Sequence, residues 1–162
     1  MEDIDKELVF SIIRQESKFN HTVKGLAGEF GLMQIMPGTA KAIAKDIGIN
    51  YKENKMLNPK YNVTLGYAYL KKMLQQFNNS LILGFAAYNA GPTNVNKWIK
   101  NLGDPRKFSN TDDLIKWIEM IPFSGTRDYV QHAIGNLQVY SSLLAREHNV
   151  TPTNYLSRDF IR

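Results

Sequence analysis

RQESKFNHTVKGLAGEFGLMQIMP, residues 14–37, is the stretch on which the reading of the chain turns. It opens as the end of a helix and continues as a loop punctuated by Gly25, Gly28 and Gly31 and closed by Pro37. Upstream, Leu8, Val9, Ile12 and Ile13 stand eight, seven, four and three residues before Glu16. If residues 5–17 are helical, Glu16 projects from the apolar stripe and not from the wet face. A carboxylate placed there loses hydration, which favours its protonated form, the state a general acid needs. The alternative is a helix-terminal Glu turned to solvent, and placement alone does not separate the two.

The remaining periodicity is helical throughout. Asp3 or Asp5 can cap the first helix. Ala40, Ile43, Ala44 and Ile47 predict a second helix over Thr39–Ile47, stopped by Gly48. Asn58-Pro59 reads as the cap and first residue of a third, running to about Phe77 with Val63, Tyr67, Leu70 and Leu74 on one face. Residues 81–88 are apolar nearly all round, which predicts a centrally buried fourth helix with Tyr88 and Asn89 at its rim. Thr93 is the expected cap of a fifth helix carrying Val95, Trp98, Ile99 and Leu102. A loop over 104–110 precedes a short sixth helix opening at Thr111. The last helix is expected from about Thr126 to Glu147, with Ser124 as its cap and Val130, Ala133, Ile134, Leu137, Tyr140 and Leu144 inward. No convincing strand is present, so the fold class is all-α. Residues 1–148 read as one domain and 149–162 as a tail partly docked through Tyr155, Leu156, Phe160 and Ile161.

Composition narrows the function classes. With 43% hydrophobic and 22% charged residues in 162, the chain has an ordinary globular balance, long enough to bury a core. The absence of Cys excludes disulfides and thiolate metal sites. His21, His132 and His148 show no metal spacing, and neither a metal nor a cofactor is expected. No apolar run is long enough to span a membrane. The N-terminus, Met1-Glu2-Asp3-Ile4-Asp5, lacks the apolar region of a signal peptide, so a substrate outside the cytoplasm would make this a domain cut from a longer protein. Net charge is +5, which favours polyanionic partners: nucleic acid, anionic lipid or a carboxylate-rich cell wall. The basic residues are scattered, with Lys71-Lys72 and Arg106-Lys107 the only adjacent pairs and no basic run interleaved with aromatics, so nucleic acid is not the expected partner.

Four segments carry a resemblance. They are Glu16-Ser17, Gly31-Leu32-Met33-Gln34, Ala87-Tyr88-Asn89-Ala90-Gly91, and Ile121-Pro122-Phe123…Thr126-Arg127…Tyr129-Val130. In this order, over roughly Leu8 to Leu144, they resemble the soluble lytic transglycosylase (SLT) family, whose fold is related to goose-type lysozyme. The resemblance implies a lysozyme-like helical domain of the periplasm or cell envelope, acting on peptidoglycan glycan strands. It implies that one Glu, here Glu16, serves as acid and then base. The N-acetyl group stabilises C1, and the muramic acid 6-hydroxyl attacks to give a 1,6-anhydro sugar. A lysozyme-type hydrolysis of the same bond and a glycan-binding module without activity are the rivals.

Among the candidate contacts, Gln34 offers an amide donor and acceptor suited to an N-acetyl group, against a loop residue bonded to nearby backbone. Met33 and Met36 are ordinarily core, and Met36 is favoured as a pocket wall because it follows Gln34. Tyr88 can lie against a sugar face or pack in the core. Asn89 can turn the chain or touch the saccharide, Ser17 can orient Glu16 or cap backbone, and Tyr129 divides between core and site. Trp98 and Trp117 sit on helical stripes and read as core. Two departures from the family stand out. Gly25 occupies a position where the family often has Ser, and Gly125 one where it commonly has Glu. Glu29 and Glu119, near in sequence, are the candidate substitutes.

Overall fold

A computed structural model of the chain describes residues 5–153 and Tyr155. Among those residues the fold is all-α: α1 (Lys6–Ser17), α2 (Pro37–Asp46), α3 (Pro59–Gln76), α4 (Leu81–Ala90), α5 (Pro92–Leu102), α6 (Thr111–Glu119) and α7 (Ser124–Glu147). Single 3-10 turns lie at Glu53–Lys55 and Pro105–Lys107, the latter inside the segment expected to be loop. Extended pairing among the described residues is limited to two isolated antiparallel bridges, Lys24 with Phe30 and Phe30 with Ile35. The chain forms two compact units, one up to Lys72 and one from Met73 onward.

In the first unit, Asp5 caps α1 by accepting from the Leu8 N–H at 3.2 Å, while Asp3 lies outside the described residues. Leu8, Val9, Ile12 and Ile13 are all buried, as their spacing requires. The helix ends where Lys18 and Phe19 take left-handed backbone angles, φ 50° and 66°. The second helix begins at Pro37, two residues before the expected start. A proline needs no acceptor for a missing N–H and already has helical φ, so it suits the first helical position. Ile35, Ala40, Ile43, Ala44, Met56 and Leu65 form one core cluster, flanked by Phe30, Tyr51, Tyr61 and Tyr69.

The long loop between α1 and α2 is fixed by a side chain from α3. Asn62 is fully buried. Its Oδ1 accepts from the Met33 N–H at 2.8 Å, and its Nδ2 donates to the carbonyls of Phe30 at 2.8 Å and Met56 at 3.0 Å. Gly31 is required beside it on two counts. Its φ is +73°, and a Cβ there would sit 2.6 Å from Asn62 Nδ2 and 2.8 Å from the Met56 carbonyl. Met33 then drops into the core, where its Sδ occupies the space above Gly66.

The second unit is built on α4. Ser80 caps it, its hydroxyl accepting from the Leu83 N–H, and every residue from Leu81 to Tyr88 is buried. Neighbours on two sides, α5 and α7, account for the absence of a wet face. Gly91, at φ +82°, ends α4 and also precedes the first residue of α5, so Pro92 and not a Thr93 cap starts that helix. Asn110 caps α6 by accepting from the Asp113 N–H. Phe123 stands at the N-cap of α7 without a side-chain bond, so Ser124 is the first helical residue and not the cap. The buried stripe of α7 is Thr126, Tyr129, Val130, Ala133, Leu137, Ser141 and Ala145, with Ile134, Tyr140 and Leu144 half-buried at its margin. Trp98 and Trp117 are core, and Trp117 Nε1 donates to the Gly103 carbonyl at 2.9 Å. Past α7 the chain is tied back where the Thr153 N–H donates to Ser141 Oγ at 3.1 Å, and Tyr155 is buried. Leu156, Phe160 and Ile161 lie outside the described residues.

Replacing Asn62 by Leu removes the side-chain partner of the buried Met33 N–H and Met56 carbonyl, while the Phe30 carbonyl keeps the Ile35 N–H at 3.2 Å, and each unsatisfied buried group costs about 1–3 kcal/mol. Asn62→Leu is therefore expected to lower unfolding free energy by at least about 2 kcal/mol in urea titration. A loss below about 1 kcal/mol would contradict this account of the loop. Two glycines should answer oppositely to Ala. A Cβ at Gly84 meets buried Leu74 Cδ2 at 2.5 Å, so overpacking of about 1–3 kcal/mol outweighs the propensity gain. At Gly125 nothing lies within 4 Å, so Gly125→Ala should stabilise by somewhat under 1 kcal/mol. Melting temperatures moving in opposite directions are the readout. The guanidinium fork of Arg106, bonded to both carboxylate oxygens of Asp104 at 2.8 Å, holds that carboxyl below the usual range. Its contribution is present above the unfolded pKa and is lost as pH falls through the lower folded one. Asp104 also caps the Pro105–Lys107 turn. Asn keeps a capping oxygen but loses the ion pair, so Asp104→Asn should cost about 0.2–1 kcal/mol at neutral pH, and the gap to the parent should shrink in acid. A gap that widens in acid would refute the assignment.

Candidate active site

Glu16 and Ser17 occupy the last turn of α1. Glu16 is half-buried, one turn beyond Ile12 and Ile13, which have 0% and 3% exposure. Ser17 is buried and its hydroxyl donates to the Ile13 carbonyl at 3.2 Å, so it serves the helix backbone. Directly after it, Phe19 packs edge-on against Phe10 at 6.1 Å, folding the chain back along α1. The carboxylate therefore sits where a rigid helix gives way to the loop.

Gln34 lies in that loop with a left-handed φ of 44°, unusual for a residue with a side chain. Its Nε2 donates to the carbonyls of Gly31 at 2.7 Å and Val23 at 3.2 Å. A flipped amide would set Oε1 against two carbonyls, so the network assigns the orientation. The amide nitrogen of Gln34 is thus spent on the loop backbone. Of the two methionines, Met33 is fully buried and Met36 is 41% exposed at the start of α2. A groove of about 460 Å³ borders the loop, lined by Lys24, Phe30, Glu53, Asn54 and Leu57. Lys24 Nζ stands 5.4 Å over the Phe30 ring, and His21 Nδ1 pairs with the Leu57 carbonyl at 3.3 Å.

In the second unit, Tyr88 and Asn89 close α4, Tyr88 buried and Asn89 exposed. Asn89 Oδ1 accepts from Thr126 Oγ1 at 2.7 Å, which turns its Nδ2 donors away from α7. Tyr129 lies one turn beyond Thr126 and is buried. Two of the four quoted segments, 37 residues apart, are thereby joined by one hydrogen bond. Glu119 is engaged elsewhere, its carbonyl accepting from Arg127 and its carboxylate from Gln131, while the space around Gly125 is empty. Glu29, by contrast, reaches the bare face of Gly25.

Sequence reasoning assigned no role to Asn62 or Thr126. Asn62 had a visible signal, a short amide in the helix that also carries buried Leu65 and Leu70. Thr126 stood inside a quoted segment without its partner being apparent.

Residues 1–110 match the family model of the Transglycosylase SLT domain. The soluble lytic murein transglycosylase of Salmonella typhimurium is 38% identical over 147 residues, 90% of this chain and 22% of that protein. Lytic transglycosylase Slt of Pseudomonas aeruginosa, solved as an inactive mutant, superposes with a TM-score of 0.77 at 37% identity, over 90% of this chain and 22% of that one. The 70 kDa soluble lytic transglycosylase of Escherichia coli gives a TM-score of 0.79 at 38% identity, over 88% of this chain and 22% of that one, and a 70 kDa soluble lytic transglycosylase in complex with bulgecin A gives 0.79 at 36% over the same shares. The chain thus spans about a fifth of the length of the relatives it matches. With the family model covering more than half of its residues and the all-α architecture shared with solved members, the chain belongs to the SLT transglycosylase family.

Proposed function

We propose that residues 1–148 are the catalytic domain of a peptidoglycan lytic transglycosylase, a cell-envelope enzyme that cleaves the β-1,4 bond between N-acetylmuramic acid and N-acetylglucosamine. The observation that carries this reading is the half-buried carboxylate of Glu16, set one helical turn beyond fully buried aliphatic residues. Protonated, Glu16 donates to the glycosidic oxygen as the C1–O bond breaks. The substrate's own N-acetyl oxygen supports the positive charge at C1. Glu16, now a carboxylate, takes the proton of the muramic acid 6-hydroxyl as that oxygen bonds to C1. One bond breaks, one forms, the acid is regenerated and no water is consumed.

The other residues divide between holding and shaping. Gln34 presents its amide oxygen to the acetamido N–H or a sugar hydroxyl, and Met36 gives an apolar wall. Asn89, through its Nδ2 donors, and Tyr88 and Tyr129 are the further glycan contacts of this reading. Ser17 acts through the end of α1, keeping the last turn closed under Glu16. The basic net charge draws the chain towards the carboxylates of the peptide stems. Similarity to enzymes named murein transglycosylases supports the substrate class. The non-catalytic alternative rests on Gly25 and Gly125, where polar groups are missing by family comparison; Glu29 reaches Gly25, while nothing fills the space at Gly125.

Glu16→Gln is expected to reduce muropeptide release from purified sacculi by at least about a hundredfold, with the circular-dichroism spectrum and melting transition retained. Mass spectrometry of wild-type products should find them one water lighter than hydrolysis products. Persistent cleavage in folded Glu16→Gln would remove Glu16 from the mechanism, and products of full mass would make the enzyme a hydrolase.

A further inference from the structure

Gly25 is not a glycine for conformational reasons, since its φ is not positive. What it lacks is room for a side chain. A Cβ there would fall within the end of Glu29, 2.8 Å from Cδ with Oε2 nearer still, and 2.9 Å from Oε1 of Gln34. Glu29 is held in this pose by the Ala27 N–H, which donates to Oε2 at 3.2 Å, and its backbone is pinned by Gly25 N–H to its carbonyl at 2.8 Å. Gln34 is held by the two carbonyls that take its Nε2. Two oxygen acceptors, one of them charged, thus converge over a residue with no side chain.

Neighbouring acceptors repel each other unless a donor lies between them. A glycan is rich in such donors, in hydroxyls and acetamido N–H groups. We propose that Glu29 is a glycan-binding residue, its carboxylate and Gln34 Oε1 forming a paired acceptor for a sugar O–H or N–H, and that Gly25 is small so that the pair can form. Glu29 then replaces the polar group that the Gly25 departure removes. The proposal rests on the glycan-directed reading above.

A neutral probe, tetra-N-acetylchitotetraose, avoids the attraction between a basic protein and anionic sacculi, and the Glu16→Gln background keeps it intact during calorimetric titration. Against that parent, Glu29→Gln should weaken binding at least about fivefold while the melting temperature stays within a few degrees. Gly25→Ala should weaken it similarly, because its methyl displaces both flexible side-chain ends without straining the backbone. Combining Gly25→Ala with Glu29→Ala should add little to either change alone, since both remove one acceptor pair. A purely structural Glu29 would lower melting temperature and leave affinity unmoved, and that result overturns the proposal, as does full additivity or a parent that does not bind the probe. Glu29-dependent binding by a chain whose wild type fails to cut sacculi would uphold the proposal and sink the catalytic reading. A wild type that cuts, with kcat/KM unchanged in Glu29→Gln, would do the reverse.

Discussion

A single buried amide organises the first unit. Asn62 reaches from α3 and bonds the Met33 N–H and the carbonyls of Phe30 and Met56. A loop of irregular backbone is tolerable beside a core only if its polar groups are paired, and here one side chain completes what the loop's own two bridges begin. Other features follow from it. Gly31 must be bare to let the amide in, Met33 must turn inward, and Gln34 must accept a left-handed φ to leave the turn. The position of Gln34 is therefore a property of α3 as much as of its own segment.

The second unit achieves comparable fixity by different means. Its reference element is α4, buried from Leu81 to Tyr88, whose only polar outlet is its C-terminal end. A helix with no wet face has no freedom to rotate, so the direction in which Asn89 leaves it is set by packing. Thr126 then fixes the remaining torsion by bonding the amide oxygen. In both units one polar side chain fixes the placement of a candidate residue, Asn62 that of the turn holding Gln34 and Thr126 that of Asn89.

Periodicity carried most of the fold. Apolar spacing located α1 to α5 and α7, because burial of a stripe is a local pattern with a fixed repeat, and the run Thr111-Asp112-Asp113 marked the start of α6. The starts of α2, α5 and α7 slipped by one or two residues, and the reasons are chemical: Pro37 and Pro92 can begin helices that Thr39 and Thr93 were expected to begin or cap, and Phe123 precedes α7 without any capping side chain. The candidate residues were legible as types in motifs, yet their divisions of labour were not. That Met33 and not Met36 is buried and that Glu29 reaches Gly25 depend on contacts across the loop. No repeat in the sequence encodes such contacts. The sparse backbone of Gly25 reads in the sequence as a loss, and only its neighbours reveal that the space is occupied.

The open surroundings of Gly125 have a practical side. No atom outside its own helix turn and chain neighbours approaches within 4 Å of where a side chain would begin, and the protein contains no cysteine. A single Cys introduced there would be the chain's sole thiol, one residue from the Thr126 hydroxyl that grips Asn89. A fluorophore or spin label attached at that point would sit beside the end of α4 without repacking anything beneath it. The position that looks most depleted by comparison with the family is thus the natural place from which to watch the molecule at work.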